Sequence, residues 1–303
     1  MQNRKKGRKI RRNWQLYLLL LPALLYLVMF VYKPMSGILI AFQNYSLRKG
    51  MWGSEWVGMD NFLRLFRSYW FPIALKNTLI ISSLTLILGF PFPILLALAV
   101  NEVKEGIFKK SLQTISYAPH FISTVVMCGM LTVLLNPDYG VINHLLNLVG
   151  IESHYFLAEP SMFKWIYVLS DIWQNAGWNA VIYFAALSGV DKALLEAAEI
   201  DGANRLQRIR YINFPVLLPT IVVMLILQCG SLLSVGYEKV YLLQNDLNLS
   251  ASEVLSTYIY KVGLQDNDYA FSTAAGLFNS VANGIILIVV NKIASRINET
   301  SLW

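Results

Sequence analysis

The amino-acid sequence predicts an all-α membrane protein with six transmembrane helices and a cytoplasmic two-helix element between the fourth and the fifth. Three observations support this. Of 303 residues, 56% are apolar and only 14% charged, a balance foreign to soluble globular domains. Six apolar runs approach or exceed the roughly 20 residues that a helix needs to cross a hydrocarbon core of about 30 Å. Lys and Arg are also distributed unevenly between alternate connections, the asymmetry that orients a membrane protein.

The first run, Trp14 to Tyr32, follows a basic tail, residues 1–13, that holds Arg4, Lys5, Lys6, Arg8, Lys9, Arg11 and Arg12. Its apolar part is too long for a signal-peptide core and no small-residue cleavage site follows, so it reads as an uncleaved span. The second, Thr78 to Val100, contains Pro91 and Pro93; the third, about residues 115–135, contains Pro119. Each proline removes a backbone donor and should bend or interrupt its helix. The fourth, Phe163 to Leu187, is the most polar. The fifth, Val216 to Val235, and the sixth, Ala274 to Ile293, complete a single domain over residues 14–303. Cys128 and Cys229 lie inside apolar runs, where a small polarisable side chain packs well, so neither a disulfide nor a metal site is expected.

Sixteen Lys and Arg fall in the tail, in residues 101–111, in residues 191–214 and beyond residue 290. The other nine are Lys33, Arg48, Lys49, Arg64, Arg67, Lys76, Lys164, Lys239 and Lys261. This excess places both termini and residues 191–215 in the cytoplasm of a multi-pass protein of the cell membrane. The net charge of +7 is concentrated in the tail, where it meets acidic lipid headgroups and requires no nucleic acid.

Enzyme chemistry has no visible foothold. No phosphate-binding Gly-rich loop, metal-binding His pair or nucleophile elbow occurs in the sequence. No catalytic residue is assigned, and the chain is not expected to hydrolyse ATP by itself. His120, His144 and His154 stand apart from one another and read as structural or loop histidines. The external connections are long, Lys33 to Ile73, Asn136 to Met162 and Gly236 to Phe271, and long connections in a compact protein are often functional.

The fourth run offers a path for a polar solute. Asp171, Asn175, Asn179 and Tyr183 recur every four residues and share one helix face, with Gln174 and Trp178 in the adjoining row. Polar groups at membrane depth are costly and face a protein interior or water. Amides donate and accept hydrogen bonds as hydroxyl groups do, and aromatic faces stack on sugar rings. Asn279 and Asn283 repeat the spacing in the sixth run, and Gln228, Ser231 and Ser234 add polar groups in the fifth. The alternative role for each is a hydrogen bond to a neighbouring helix. Asp171 is the one acid well inside a run; it can pair with a cation on another subunit, bind cargo or sit hydrated at the interface.

Residues 191–215 cannot span a bilayer. Asp191 can cap a helix starting at Lys192, Asp201-Gly202 provides a break, and Ala197 and Ala198 allow a partner's close approach beside the charge of Glu196. On these grounds alone, an interfacial amphipathic helix and a docking element are equally open. The series Glu196-Ala197-Ala198, Asp201-Gly202-Ala203, Ile212 and Pro215 resembles the EAA motif of permease subunits in bacterial ATP-binding cassette importers. Ala41-Phe42-Gln43-Asn44-Tyr45, Trp56 to Phe62, Asn77-Thr78 and Gly236 to Tyr241 are similar to the carbohydrate-importer branch. Gln244-Asn245-Asp246 stands where that branch has Gly-Gly-Pro.

The resemblance implies that Glu196, Ala197, Ala198, Asp201 and Gly202 couple the chain to an ATPase. It also implies two ATPase subunits that bind ATP and Mg, a second related permease in a heterodimer, and an extracytoplasmic solute-binding protein. No cofactor is expected in this chain. The cargo implied is a carbohydrate, an oligosaccharide, with a glycerol-phosphate compound as the alternative polar solute. A membrane-embedded enzyme and a channel are the competing classes: the first needs convergent acids, bases or a metal, and the second works without an ATPase.

Overall fold

A computed structural model describes residues 13–298 and 301–302; most of the basic tail, residues 1–12, lies outside the described residues. The described residues are mainly helical, with one short two-strand pairing. Among the described residues, four helices are long and apolar enough to cross a membrane: α1 (Trp14–Phe42), α3 (Trp70–Asn101), α9 (Arg205–Cys229) and α11 (Tyr269–Asn298). The short α2 (Asp60–Arg67) lies between the first two. A fifth candidate is the bent pair α4 (Ile107–Phe121) and α5 (Thr124–Leu134), which meet at 95°. After α6 (Val141–Leu148), α7 (Pro160–Leu187) has 28 residues, ample length for a span, but its polar stripe lowers its hydropathy.

Helix ends differ from the apolar runs for identifiable reasons. α1 continues past Tyr32 through Pro34, and α3 starts at Trp70 rather than Thr78, with Pro72 tolerated in its first turn. The run from Val216 to Val235 is a helix only as far as Cys229; the chain turns at Gly230 and Ser231. The third run is not one helix: Pro119 lacks an amide donor, Ile122 is extended, and Ser123 starts a new helix by accepting from the Val126 amide. Pro91 and Pro215 do not interrupt their helices. Wide π turns precede them, at Thr85–Gly89 and Ile209–Asn213, as one at Leu27–Tyr32 precedes Pro34. Such turns absorb the register shift imposed by a missing donor.

The chain divides into two compact units. One comprises residues up to Leu65 with Val262–Leu277. In it Gln43–Asn44 (β1) pairs antiparallel with Glu55–Trp56 (β2), and the Phe42 ring stacks on Trp56. The Asn61 amide donates to the carbonyls of Ala41 and Gln43, both at 3.0 Å. The Gln43, Trp56 and Asn61-Phe62 signatures therefore belong to one small folded element.

The other unit comprises Phe66–Lys261 and Phe278–Trp303. One apolar cluster joins Ile81, Cys128, Phe163, Val168, Val240 and Val254; another joins Ile94, Ala97, Ala180, Tyr183, Leu187 and Leu217. α7 supplies residues to both clusters. α4 crosses α7 so closely that a Cβ placed on Gly177 would lie 1.9 Å from the Ser116 carbonyl oxygen.

Candidate functional site

The four-residue spacing on α7 resolves into a cavity wall. Asp171, Asn175, Asn179 and Tyr183 line a cavity of about 400 Å³ together with Thr85, Gly89, Phe90 and Pro93 of α3 and Met224, Leu227 and Gln228 of α9. The π turn at Thr85–Gly89 lies in that wall, a common setting for such turns. The cavity offers amides, a carboxylate and a phenol among apolar surfaces, the composition of a site for a polyhydroxylated solute.

The adjoining row faces elsewhere. Gln174 is buried and donates to the Ile122 carbonyl at 2.8 Å, so it braces the break between α4 and α5. Trp178 stacks flat on the His120 ring, with centroids 4.8 Å apart and planes 3° from parallel. His120 Nδ1 in turn lies 3.0 Å from Asn175 Oδ1. His120 is thus held against the polar stripe, the structural one of the two roles, structural or loop, that its isolation in the sequence left open.

Asn279 and Asn283 do not line this cavity. Asn283 accepts from the Leu233 amide at 2.9 Å and donates to Ser234 Oγ at 3.0 Å, satisfying the turn after α9. Asn279 Oδ1 is buried with no hydrogen-bond partner among the described residues. Asn283→Leu leaves the buried Leu233 amide unpaired, at a cost of about 1–3 kcal/mol. The expected result is a melting temperature in detergent several degrees below wild type, which thermal unfolding of the purified protein checks.

Asp171 has a partner within its own chain. Lys239 Nζ, on α10 (Tyr237–Leu243), lies 3.6 Å from Asp171 Oδ1, donates to the Tyr167 carbonyl at 3.1 Å and sits 4.6 Å from the centre of the Tyr167 ring. Charge distribution puts Lys239 in the external connection from Gly236 to Phe271; there it is 6% exposed. Burial pushes its ammonium down from the usual lysine range, and the Asp171 carboxylate opposes that shift. Lys239, His120, Asp171, Gln174 and Asn175 line a second cavity, of about 480 Å³. The clue available in the sequence was one unmatched acid in an apolar run and one lysine in a mostly apolar stretch.

The 191–215 segment is built as a helix, a tight turn and a second helix. Asp191 caps α8 (Lys192–Ile200) by accepting from the Ala193 amide at 2.9 Å. Gly202, at φ +80°, ends it, and the Ala203 amide donates back to the Ala198 carbonyl. Asn204 and Gln207 then bond reciprocally at the start of α9. Glu196, Ala197 and Asp201 are exposed and Ala198 half-buried; Ile200 and Leu206 are 87% and 74% exposed. Arg208 ties the element together, donating to Glu199 of α8 at 2.9 Å and to Glu102, just past α3, at 3.2 Å. Glu102 also accepts from the buried Asn213.

Comparison with known proteins agrees with this architecture. A family model described as binding-protein-dependent transport system inner membrane component matches residues 89–299. The chain is 43% identical over 295 residues to the polygalacturonan/rhamnogalacturonan transport system permease protein YteP of Bacillus subtilis (strain 168), covering 97% of this chain and 92% of that protein. Among solved structures, it aligns at TM-score 0.90 and 42% identity with a chain of a bacterial ABC transporter involved in the import of the acidic polysaccharide alginate, covering 97% of this chain and 99% of that one. The same values hold for a bacterial alginate ABC transporter in complex with an alginate pentasaccharide-bound periplasmic protein.

Proposed function

The chain belongs to the family of binding-protein-dependent transport system inner membrane components, and from that premise we propose that it forms the membrane path of an ATP-driven importer for acidic oligosaccharides. The observation that carries this reading is the cavity of about 400 Å³ lined by Asp171, Asn175, Asn179 and Tyr183, in a chain similar along nearly its whole length to a polygalacturonan/rhamnogalacturonan transport permease and to a chain of a transporter that imports the acidic polysaccharide alginate. Amide and phenol groups match sugar hydroxyls, and the site lies where three helices with proline-adapted or polar walls meet.

In this reading α7 is the sixth span, alongside α1, α3, the α4–α5 pair, α9 and α11, and both termini are cytoplasmic. Glu196, Ala197, Ala198, Asp201 and Gly202 dock on an ATPase subunit, for which the exposed Ile200 and Leu206 supply apolar contact. Two ATPase subunits bind ATP and Mg, and a second related permease completes the path. A solute-binding protein delivers cargo to the outer face. ATP binding draws the docking elements together. The Arg208 contacts with Glu199 and Glu102 pass that motion from α8 to α9 and to the end of α3.

The test is uptake by proteoliposomes containing the whole importer. A labelled galacturonate trisaccharide should accumulate only with the binding protein outside and ATP inside. Uptake without ATP, or no uptake of this probe under any of these conditions, contradicts the proposal.

A further inference from the structure

We infer that Lys239 is a carboxylate-recognition residue of the path, with Asp171 as a displaceable internal counter-ion; this rests on the acidic-oligosaccharide reading above. Three features of the Lys239 environment lead there. Its ammonium has three donors, and among the described residues one is used, on the Tyr167 carbonyl. Asp171 Oδ1, at 3.6 Å, is near enough to attract but beyond a direct hydrogen bond, and that oxygen already accepts from Asn175 at 3.0 Å. The lysine side chain is 7% exposed, so the cation, held by the Tyr167 carbonyl and ring face and by the longer Asp171 contact, is largely withdrawn from water with hydrogen-bond donors unused.

A lysine kept only to stabilise the fold has a different appearance in the same unit. Lys261 Nζ contacts Glu253 Oε2 at 2.5 Å and Gln244 Oε1 at 2.6 Å, a closed pair with a carboxylate that is itself buried. Withdrawing an ion from water is costly unless its bonds are completed. For Lys239 completion is available from the cavity side, because Lys239 and Asp171 both line the 480 Å³ cavity, and Asp171 and Asn175 also line the 400 Å³ cavity.

A uronate carboxylate entering there takes the two open donors of Lys239. Asp171 remains bonded to Asn175 and releases the cation without being stranded. A neutral sugar offers hydroxyl oxygens but no anionic group to compete with Asp171 for the ammonium, so the pair also discriminates by charge.

Binding to the detergent-purified importer, read by tryptophan fluorescence without the binding protein, tests this with the galacturonate trisaccharide and its carboxyl-reduced, neutral counterpart. Wild type should favour the acidic probe at least tenfold. Lys239→Met should abolish that preference by weakening acidic-probe binding at least tenfold more than neutral-probe binding, Lys239→Arg should retain it, and Asp171→Asn should bind the acidic probe as tightly as wild type or more tightly. A Lys239→Met protein that keeps the preference, or loses both probes equally, overturns the inference, as does weaker acidic binding by Asp171→Asn. If Lys239→Met does not fold, the Asp171→Asn and Lys239→Arg results decide. Wild-type import of the acidic probe alongside any of these contrary results leaves the cargo reading standing; absence of wild-type import overturns both.

Discussion

Gly202→Val is expected to reduce ATP-driven uptake at least tenfold in the assembled importer while membrane insertion and the ATPase activity of the complex persist. Gly202 adopts φ +80°, and a Cβ there meets nothing within 4 Å, so the effect is conformational and not a clash. A left-handed conformation costs an L-residue roughly 1–2 kcal/mol, and a β-branched side chain is among the least tolerant. The chain escapes that cost by opening the turn, which breaks the Ala203-to-Ala198 bond and changes the angle between α8 and α9. Gly202→Asn, which tolerates this conformation, should keep most uptake. Glu196→Lys should reproduce the uncoupling through charge alone. Paired uptake and ATP hydrolysis assays check all three; normal uptake by both Gly202→Val and Glu196→Lys contradicts a coupling role for this element.

The second large effect is structural. Gly177→Ala should lower the amount of folded protein recovered from membranes to about a tenth or less. The added methyl would lie 1.9 Å from the Ser116 carbonyl oxygen and 2.3 Å from its carbon. Those are backbone atoms of α4, so relief requires the helices to separate rather than a side chain to rotate. Separation would dislodge Gln174 from Ile122 and Trp178 from His120, loosening the wall of the candidate path. Gly129→Ala on α5 is the matched control: its Cβ meets nothing within 4 Å, and alanine suits a helix better than glycine. Size-exclusion recovery in detergent distinguishes the two, and equal recovery contradicts the close crossing.

These sites differ in how far they could be read from sequence. The stripe of Asp171, Asn175, Asn179 and Tyr183 was legible because helical periodicity alone puts four-residue steps on one face, and those four residues do share a cavity. Gln174 and Trp178 belong to the neighbouring row, and only the position of α4 decides that they brace a helix break. Asn283 illustrates the opposite outcome: its spacing from Asn279 suggested a second polar stripe, but its amide closes the turn at Leu233.

Helix limits were obscured where polar residues extend an apolar helix, as Lys76 and Asn77 do in α3. Prolines were legible as perturbations, but not as π turns, because the accommodation depends on the whole preceding turn. Pro119 marked an interruption of the third run, but neither its placement at Ile122 nor the 95° bend could be read, because both depend on how Ser123 starts the next helix. Asp171 and Lys239 lie far apart in the chain, so neither spacing nor composition could pair them. The helix–turn–helix at residues 191–215 was the most legible element, since the Asp191 cap and the Gly202 turn each act on residues within a few positions; the Asn204–Gln207 cap that starts the second helix was not read.

The central claim, that this chain is one subunit of an ATP-driven importer, is tested most directly by purifying the tagged chain gently from its native membrane, identifying what remains bound by mass spectrometry and assaying ATP hydrolysis. The account predicts a second permease, an ATPase subunit and ATP hydrolysis in the preparation. A chain that repeatedly emerges alone under crosslinking, with no ATPase, contradicts it.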